Sequence, residues 1–271
     1  MKRMFVTDYD GTLAADDGKV SQESMKMLEE LGEAGVVRVI ATGRSLFSLK
    51  TVVKKDFPID YLVFSSGIGI YDWNNNKLLQ ENDIGESETS EVYNYLIKKK
   101  YDFMVQLPVP NNHFFHHFSS GSPNPDLLSR VSYYATHGIE SIEKCPSKAS
   151  QFVIVFPEEK NYFDQISKDF SCLKVLKATS PIDRKSIWIE ILPKTVSKSE
   201  GIEFLREMCN INKENIITVG NDYYDIDMLR YVQKTNAFVV SNAPAELKSE
   251  FNVISSNQEN GVAGLVLDLY F

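Results

Sequence analysis

The sequence predicts an α/β protein with a Rossmann-like, doubly wound parallel sheet core and an inserted α+β cap domain. Three observations predict this fold. Short apolar runs alternate with helical patterns near the N-terminus, the alternation breaks in the middle, and it resumes towards the C-terminus. Strands that alternate with helices form right-handed βαβ units and a parallel sheet. We expect residues 1–83 and 191–271 to form the core and residues 84–190 to form the cap.

In the first alternating part of the chain, each apolar run is followed by polar residues or glycine. The predicted strands are 3–7, 36–41 and 61–66, and the predicted helices are 21–34 and 45–54. Because the carboxyl ends of parallel strands meet at one edge of a sheet, these polar ends should lie together. Ligands bind at that edge in open α/β sheets.

The remaining elements follow from the same two periodicities. In the middle of the chain we expect a hairpin of 68–71 with 77–80, a helix at 87–100, and strands at 103–107, 151–156 and 186–192. Towards the C-terminus we expect a helix from 197, strands at 216–220, 237–241 and 252–256, and helices at 224–231, 245–249 and from 261 onward.

Composition excludes several classes of partner. The 271 residues include 29 Lys and Arg against 37 Asp and Glu, a net charge of −8, which argues against nucleic-acid binding. No apolar run reaches the length of about 18 residues that a membrane span needs. Three widely spaced cysteines predict reduced thiols and a cytoplasmic location. We expect a monomer or a homodimer.

The segment Asp8-Tyr9-Asp10-Gly11-Thr12 carries the sharpest chemical signal. Two carboxylates follow a buried strand two residues apart, and a divalent cation would relieve their repulsion. Asp8 is the candidate nucleophile, which would attack phosphorus and form an aspartyl-phosphate. Asp10 is the candidate acid and base, and Gly11 permits the sharp turn. The sequence predicts a phosphatase that uses Mg2+, held by the Asp8 carboxylate and the Asp10 carbonyl.

Three further segments offer groups for the same chemistry. Thr42-Gly43-Arg44 follows the second strand, where a hydroxyl and backbone N–H could hold a phosphate oxygen. Lys198 begins a helix, an unfavourable place for a cation unless an anion lies nearby. Beyond the strand at 216–220, oxygen-bearing side chains suited to Mg2+ follow, namely Asn221, Asp222 and Asp225.

These four segments resemble, in order and spacing, the motifs of the haloacid dehalogenase superfamily of phosphohydrolases, over nearly the whole chain. The large insertion between the second and third motifs resembles the Cof-type branch of subclass IIB, as do Ser241-Asn242-Ala243 and the stretch from Asn257 to Ala263. The resemblance implies Mg2+ and a small phosphorylated metabolite, such as a sugar phosphate, as the substrate. It implies catalytic roles for Asp8, Asp10, Thr42 and Lys198, and substrate-binding roles for Gly11, Thr12, Gly43, Arg44, Gly67 and Asn242.

Two positions depart from the family pattern. Asn221 stands where the family has its first aspartate of the fourth motif, so that either Asn221 or Asp222 would complete the metal site with Asp8, Asp10 and Asp225. Ser66-Gly67 replaces an Asn-Gly pair. Two alternatives to a phosphatase stay open: a mutase-like phosphotransferase on the same scaffold, and a weakly active ligand-binding or regulatory homologue.

Overall fold

The computed structural model describes residues 2–158, 161–180 and 182–270. The chain divides into two compact units. The first contains the chain up to Gln80 and from Ser197 onward, and the second runs from Glu81 to Val196. The predicted border after residue 190 would cut through the strand Ile187–Leu192, all of which pairs within the second unit.

The strands, in chain order, are β1 (Arg3–Thr7), β2 (Val36–Ala41), β3 (Tyr61–Phe64), β4 (Gly69–Asp72), β5 (Lys77–Glu81), β6 (Phe103–Gln106), β7 (Phe115–Phe118), β8 (Gln151–Phe156), β9 (Lys174–Thr179), β10 (Ile187–Leu192), β11 (Ile216–Gly220), β12 (Ala237–Val240) and β13 (Asn252–Ile254). The helices are α1 (Gln22–Glu33), α2 (Leu46–Lys50), α3 (Glu86–Lys99), α4 (Pro125–Thr136), α5 (Tyr162–Asp169), α6 (Lys198–Cys209), α7 (Ile226–Tyr231), α8 (Ala245–Glu250) and α9 (Gly261–Tyr270). None of the helices in the described residues is long and apolar enough to cross a membrane.

The first unit is built on an eight-stranded sheet in the order β13-β12-β11-β1-β2-β3-β4-β5. The pairs from β13 to β3 are parallel, whereas β3 and β4 form an antiparallel hairpin. From β1 the sheet grows through β2 and β3 on one side and through β11 to β13 on the other. The direction of winding therefore reverses at β1, and the crevice of a doubly wound sheet lies at such a reversal.

The core of the first unit explains why β1 is central. Its residues Met4, Phe5 and Val6 are fully buried, as expected for a strand covered on both faces. Helix α1 begins after Ser21, whose hydroxyl accepts the N–H of Ser24, and it buries Leu28 and Leu31. The strand is thereby held in place, and the polar residues that follow it are positioned by a rigid support.

Two predicted elements of the first unit are shorter in the structure. The helix predicted over 45–54 ends at Lys50, and the following residues form turns. The strand predicted over 61–66 ends at Phe64, because Ser65, Ser66 and Gly67 take left-handed backbone conformations with φ of 49°, 56° and 101°. The apolar run predicted a strand. It could not predict three successive residues in the left-handed conformation, because residues with a side chain rarely adopt it.

The second unit has its own sheet, in the order β7-β6-β8-β10-β9, with antiparallel pairs between neighbours. Helices α3, α4 and α5 accompany it. Its core is separate from that of the first unit and contains buried aromatic side chains such as Phe103 and Phe152. The prediction of an inserted α+β region with its own sheet is confirmed, although the sequence pattern had not specified α4 or α5.

Candidate active site

Asp8 lies at the reversal point of the sheet, directly after β1. Its backbone N–H donates to the Val219 carbonyl at 2.9 Å and so extends the ladder between β1 and β11 by one residue. The side chain is 8% exposed. A carboxylate buried in this way needs compensating charge or hydrogen bonds.

Lys198 supplies that compensation. It is the first residue of α6, whose N-cap Ser197 accepts the N–H of Glu200. The side chain is 3% exposed, and its ammonium donates to Asp8 Oδ1 at 2.7 Å and to Asp225 Oδ1 at 2.6 Å. A cation at a helix N-terminus is unfavourable by itself, and these two carboxylates explain its placement.

The buried cluster carries more negative than positive charge, because Asp8 and Asp225 share one ammonium. Burial raises the pKa of the Asp8 carboxyl to about 7; Lys198 opposes that rise and Asp225 adds to it. Burial would lower the pKa of Lys198, but the carboxylates of Asp225 and Asp8 outweigh it and raise that pKa. A further cation beside Asp8 would lower its pKa and favour the ionised, nucleophilic form.

The turn that follows Asp8 is held by residues from distant parts of the chain. Gly11 has φ of +69°, and a Cβ there would come within 2.5 Å of Asn221 Nδ2. Asn242 Nδ2 donates to the Gly11 carbonyl at 2.9 Å. Asn257 is buried and donates to the Ala14 carbonyl at 3.1 Å. The contact of Asn242 is thus with the turn itself, and its role in substrate binding stays a prediction.

Asp10 is paired with Arg44. Arg44 Nε and Nη2 donate to the two carboxylate oxygens of Asp10, each at 2.7 Å, and the Asp10 side chain is 51% exposed. The guanidinium also lies 5.4 Å from the centre of the Tyr9 ring. The structure thus brings Arg44 to the proposed acid and base, and its predicted role in substrate binding stays a prediction.

Thr42 follows β2 at the same edge of the sheet as Asp8. Its N–H donates to the Val63 carbonyl at 2.8 Å, and its hydroxyl oxygen accepts the N–H of Arg44 at 3.1 Å. Thr42 is 1% exposed, and its hydroxyl keeps its own proton for donation. The neighbouring Gly43 is exposed, and among the described residues a Cβ there would meet only Ser66 Oγ, at 3.7 Å.

Gly67 packs against the start of α6. Its φ is +101°, and a Cβ would come within 2.1 Å of the Ser197 carbonyl oxygen. Only glycine fits such a close approach of two backbone segments. The structure therefore gives Gly67 a part in placing the helix that carries Lys198, and its predicted contact with substrate stays untested.

The segment after β11 is organised around Asp225. Asp225 Oδ2 accepts the N–H groups of Asn221 at 2.8 Å and Asp222 at 3.1 Å, while its other oxygen accepts from Lys198. A Cβ on Gly220 would lie 2.7 Å from Asp225 Oδ2, so glycine is needed there. Asp222 Oδ1 accepts the N–H of Tyr223 at 2.5 Å. The metal-binding roles of Asp222 and Asp225 stay predictions, and both oxygens of Asp225 already have protein donors.

Oxygen atoms suited to Mg2+ converge between Asp8 and Asn221. The hydroxyl of Thr12 lies 3.1 Å from Asn221 Oδ1 and 3.5 Å from Asp8 Oδ2, so both oxygens face the same space. No group of three or more His, Cys, Asp or Glu able to hold a metal occurs in the described ranges. The structure instead brings together one carboxylate oxygen and one amide oxygen, and oxygen ligands of this kind fit Mg2+, while the part of the Asp10 carbonyl stays a prediction.

The comparisons with known proteins decide the family. Residues 5–266 match the haloacid dehalogenase-like hydrolases. The chain belongs to this family. It is 25% identical over 280 residues to the 5-amino-6-(5-phospho-D-ribitylamino)uracil phosphatase of Bacillus subtilis, with 94% of each chain covered. The predicted family is confirmed, and the family together with its relatives named as phosphatases supports the predicted enzyme class.

Solved structures confirm the fold class. A protein of Thermotoga maritima superposes with a TM-score of 0.79 at 21% identity, covering 100% of this chain and 98% of that one. A subclass IIB sugar phosphatase of the same superfamily superposes with a TM-score of 0.76 at 17% identity, covering 98% of both chains. At these identities the likeness concerns the fold alone.

Two features of the site were not predicted from the sequence. The pairing of Arg44 with Asp10 joins residues 34 positions apart, and no local pattern announces it. Asn257 was noted only as part of the C-terminal resemblance, yet it also donates to Asp16 Oδ1 at 3.0 Å and so braces the loop beyond Ala14. A buried amide side chain usually binds backbone, but the burial of Asn257 is a property of the folded chain, and no local pattern in the sequence reports it.

Proposed function

We propose that the chain is a Mg2+-dependent phosphatase that hydrolyses small phosphomonoesters, with sugar phosphates as the preferred class, through an aspartyl-phosphate on Asp8. One observation carries the proposal: a buried Asp8 at the reversal of the sheet accepts a hydrogen bond from Lys198 at 2.7 Å. This arrangement provides an oriented carboxylate and a fixed positive charge for the phosphoryl group.

The first half of the reaction would form the covalent intermediate. A carboxylate oxygen of Asp8 bonds to phosphorus while the bond from phosphorus to the ester oxygen breaks. Asp10 gives a proton to the departing oxygen, so that the product leaves as an alcohol. Lys198 and the Thr42 hydroxyl donate to the phosphoryl oxygens.

The second half would regenerate Asp8. The Asp10 carboxylate takes a proton from a water molecule, whose oxygen attacks phosphorus as the bond to Asp8 breaks and phosphate leaves. Arg44 holds both oxygens of Asp10 and so fixes its direction in both halves. Mg2+, held by Asp8, the Asp10 carbonyl and Asn221, would supply Lewis-acid charge at the phosphoryl group.

The same proposal covers the class of substrate, the partners, the cellular location and the oligomeric state. The protein named as a ribitylaminouracil phosphatase acts, by its name, on a small phosphorylated compound, which supports a small phosphorylated metabolite here. A net charge of −8 supports the expectation that nucleic acid and anionic membranes are not partners. We also propose that the protein is cytoplasmic and is a monomer or a homodimer.

The experiment is a panel of sugar phosphates, nucleotides and cofactor phosphates assayed for phosphate release with Mg2+. Asp8→Asn keeps the side-chain shape but removes the nucleophile, and Asp17→Asn, at an exposed position in the loop beyond Ala14, serves as the control. We expect turnover by the wild type and by Asp17→Asn and none by Asp8→Asn. Acid quenching should trap a phosphate on the peptide that contains Asp8.

Other outcomes would replace the proposal. A phosphorylated isomer formed without free phosphate would indicate the mutase-like phosphotransferase. Failure on every phosphoester, together with binding of one of them, would indicate the regulatory homologue. Turnover that persists in Asp8→Asn would exclude Asp8 as the nucleophile.

A further inference from the structure

Asp227, in the first turn of α7, contacts the start of the helix that carries Lys198. Its Oδ2 accepts the backbone N–H of Ser199 at 3.2 Å and the Ser199 hydroxyl at 3.4 Å. Ser199 directly follows Lys198 in α6. The proposed reaction gives Asp227 no part, so this contact between two helices has no assigned role.

The first turn of α6 needs acceptors from outside the helix. The first N–H groups of a helix have no acceptor within it. In α6 the N-cap hydroxyl of Ser197 accepts the N–H of Glu200 at 3.1 Å, and Asp227 accepts that of Ser199. A negative side chain at this end also interacts favourably with the helix dipole. Asp227 thus contributes to the cap of α6 from a position 28 residues further along the chain.

A chain of hydrogen bonds joins the N-cap of α6 to Asp227. Ser197 Oγ lies 2.8 Å from Ser199 Oγ, which lies 3.4 Å from Asp227 Oδ2. A carboxylate only accepts, so the Ser199 hydroxyl donates to Asp227. The Ser197 hydroxyl then donates to Ser199 Oγ. The residues on both sides of Lys198 are therefore held by one connected network that ends at Asp227.

The segment that contains Asp227 also holds the far end of the Lys198 side chain. Asp225, two residues earlier, accepts from the Lys198 ammonium at 2.6 Å. Lysine has a long and flexible stem, so the direction of its ammonium is fixed only if the backbone is fixed as well. Asp225 holds the ammonium and Asp227 holds the backbone. Between these two contacts, Lys198 Nζ lies 2.7 Å from Asp8 Oδ1.

The packing of α6 against α7 does not depend on Asp227 alone. Ile202 and Leu205 of α6 share a buried apolar core with Met228 and Leu229 of α7. Loss of the Asp227 contact should therefore leave the two helices together. It should loosen the first turn of α6, because helix ends fray before the interior does.

We propose that Asp227 is a positioning residue, which fixes the backbone of Lys198 so that its ammonium meets Asp8 and the phosphoryl group in one geometry. This role rests on the proposed phosphatase function. Asp227 acts through Ser199 and takes no part in the bonds that form and break. A misplacement of about 1 Å can slow a reaction about 100-fold, and partial freedom of one helical turn should cost less.

The kinetic test measures formation of the aspartyl-phosphate by rapid quenching at saturating substrate. Asp227→Ala removes the acceptor and should slow this step about 10-fold. Asp227→Asn keeps an acceptor oxygen and should restore the rate to within about 3-fold of the wild type. Glu200→Ala is the matched control, because it removes an exposed negative charge from the same turn of α6. It should leave the rate unchanged.

Two further measurements need no turnover. In a crystal structure of Asp227→Ala without metal, the distance from Lys198 Nζ to Asp8 Oδ1 should lengthen by about 0.5 Å or more relative to the wild type. Hydrogen exchange at the Ser199 amide should become faster, because the N–H has lost its acceptor. If the wild type released no phosphate, the proposed function would fail, and these two measurements would still decide whether Asp227 positions Lys198.

Four results would overturn this role of Asp227. The first is a rate of aspartyl-phosphate formation in Asp227→Ala equal to that of the wild type. The second and third are equal losses in Asp227→Ala and Asp227→Asn, or in Asp227→Ala and Glu200→Ala, since either would assign the effect to charge and not to the hydrogen bond. The fourth is a slowed Asp227→Ala in which the Lys198 ammonium stays 2.7 Å from Asp8.

Discussion

Arg44 binds both carboxylate oxygens of Asp10, with two hydrogen bonds of 2.7 Å. A guanidinium that donates through two parallel N–H groups fixes the plane of a carboxylate as well as its position. Both residues are partly exposed, so the pair itself adds little stability. Its value lies in directing the proposed proton transfer.

We therefore expect Arg44→Lys to slow the reaction by a factor that depends on the leaving group of the substrate. An alkyl phosphate needs a proton on its departing oxygen, and kcat should fall about 10- to 100-fold because lysine cannot hold both oxygens. With p-nitrophenyl phosphate, whose leaving group departs without a proton, formation of the aspartyl-phosphate should slow a few-fold at most. Rapid-quench measurement of that first step on both esters tests this, and equal losses in that step would assign Arg44 to the phosphoryl group instead.

Removal of the Lys198 charge should destabilise the protein strongly. Lys198→Met leaves Asp8 and Asp225 buried without their shared cation, and the free energy of unfolding should fall by about 3–5 kcal/mol at pH 7. The loss should shrink towards pH 5, because burial raises the pKa of Asp8 to about 7, so that its carboxylate takes up a proton in the native state as the pH falls. Urea unfolding at both pH values measures it.

Two comparisons sharpen the test of Lys198. The double variant Lys198→Met, Asp225→Asn removes one of the uncompensated charges and should recover part of the stability. Lys234→Met changes an exposed lysine and should have little effect. The loss of stability in Lys198→Met could also be the same with and without Asp225→Asn and at both pH values. Its cause would then be lost packing and not lost charge.

Asn221 should set the affinity for Mg2+. Asn221→Asp adds a carboxylate to the proposed oxygen set, and the Mg2+ concentration for half-maximal activity should fall about 10-fold. Without metal the same variant should lose about 1 kcal/mol of stability, because the new charge lies near Asp8. Asn221→Ala should raise the Mg2+ requirement. If neither variant changes the titration, Asn221 does not bind the metal.

Gly67 should tolerate no side chain. Gly67→Ala brings a methyl group to 2.1 Å from the Ser197 carbonyl oxygen at φ of +101°, and we expect a loss above about 3 kcal/mol with displacement of Lys198. Gly18 is the matched control, because its φ is +77° but no atom of the residues that the structure describes would lie within 4 Å of a Cβ there. Gly18→Ala should cost about 1–2 kcal/mol. Similar losses for both would show that only backbone strain matters.

Asp83 should make the stability of the second unit depend on pH. Burial, with repulsion from Glu81, raises the pKa of Asp83 to about 6, above the value of about 3.9 in an unfolded chain. The native state thus holds the proton more tightly, and the contribution of Asp83 becomes unfavourable as pH rises from 4 to 6.

Replacement of Asp83 should remove this dependence. Relative to the wild type, Asp83→Asn should gain little at pH 4 and about 1 kcal/mol at pH 7.5, a figure discounted for partial exposure. Urea unfolding at the two pH values measures the difference. Glu91→Gln, on the exposed face of α3, controls for loss of a surface charge. A gain that is equal at both pH values would exclude the titration of Asp83 as its cause.

Local sequence patterns predicted a large part of the fold and of the candidate site of this protein. The buried run before Asp8, the alternation of strands and helices and the insertion in the middle each depend on neighbouring residues, so periodicity and caps report them. For the same reason, the order of the four motif segments identified the family before any coordinates. The placement of the carboxylates at one edge followed from the parallel topology alone.

The tertiary structure decided the contacts between residues far apart in sequence. The bond from Lys198 to Asp8 spans 190 positions, and the position of Asn221 beside Thr12 spans 209. The pair of Arg44 with Asp10 and the approach of Gly67 to Ser197 are of the same kind. Such contacts depend on how packed elements bring their ends together, and no short stretch of sequence encodes that arrangement. The sequence by itself thus determined which chemical groups are present, and only packing decided which of them act on one another.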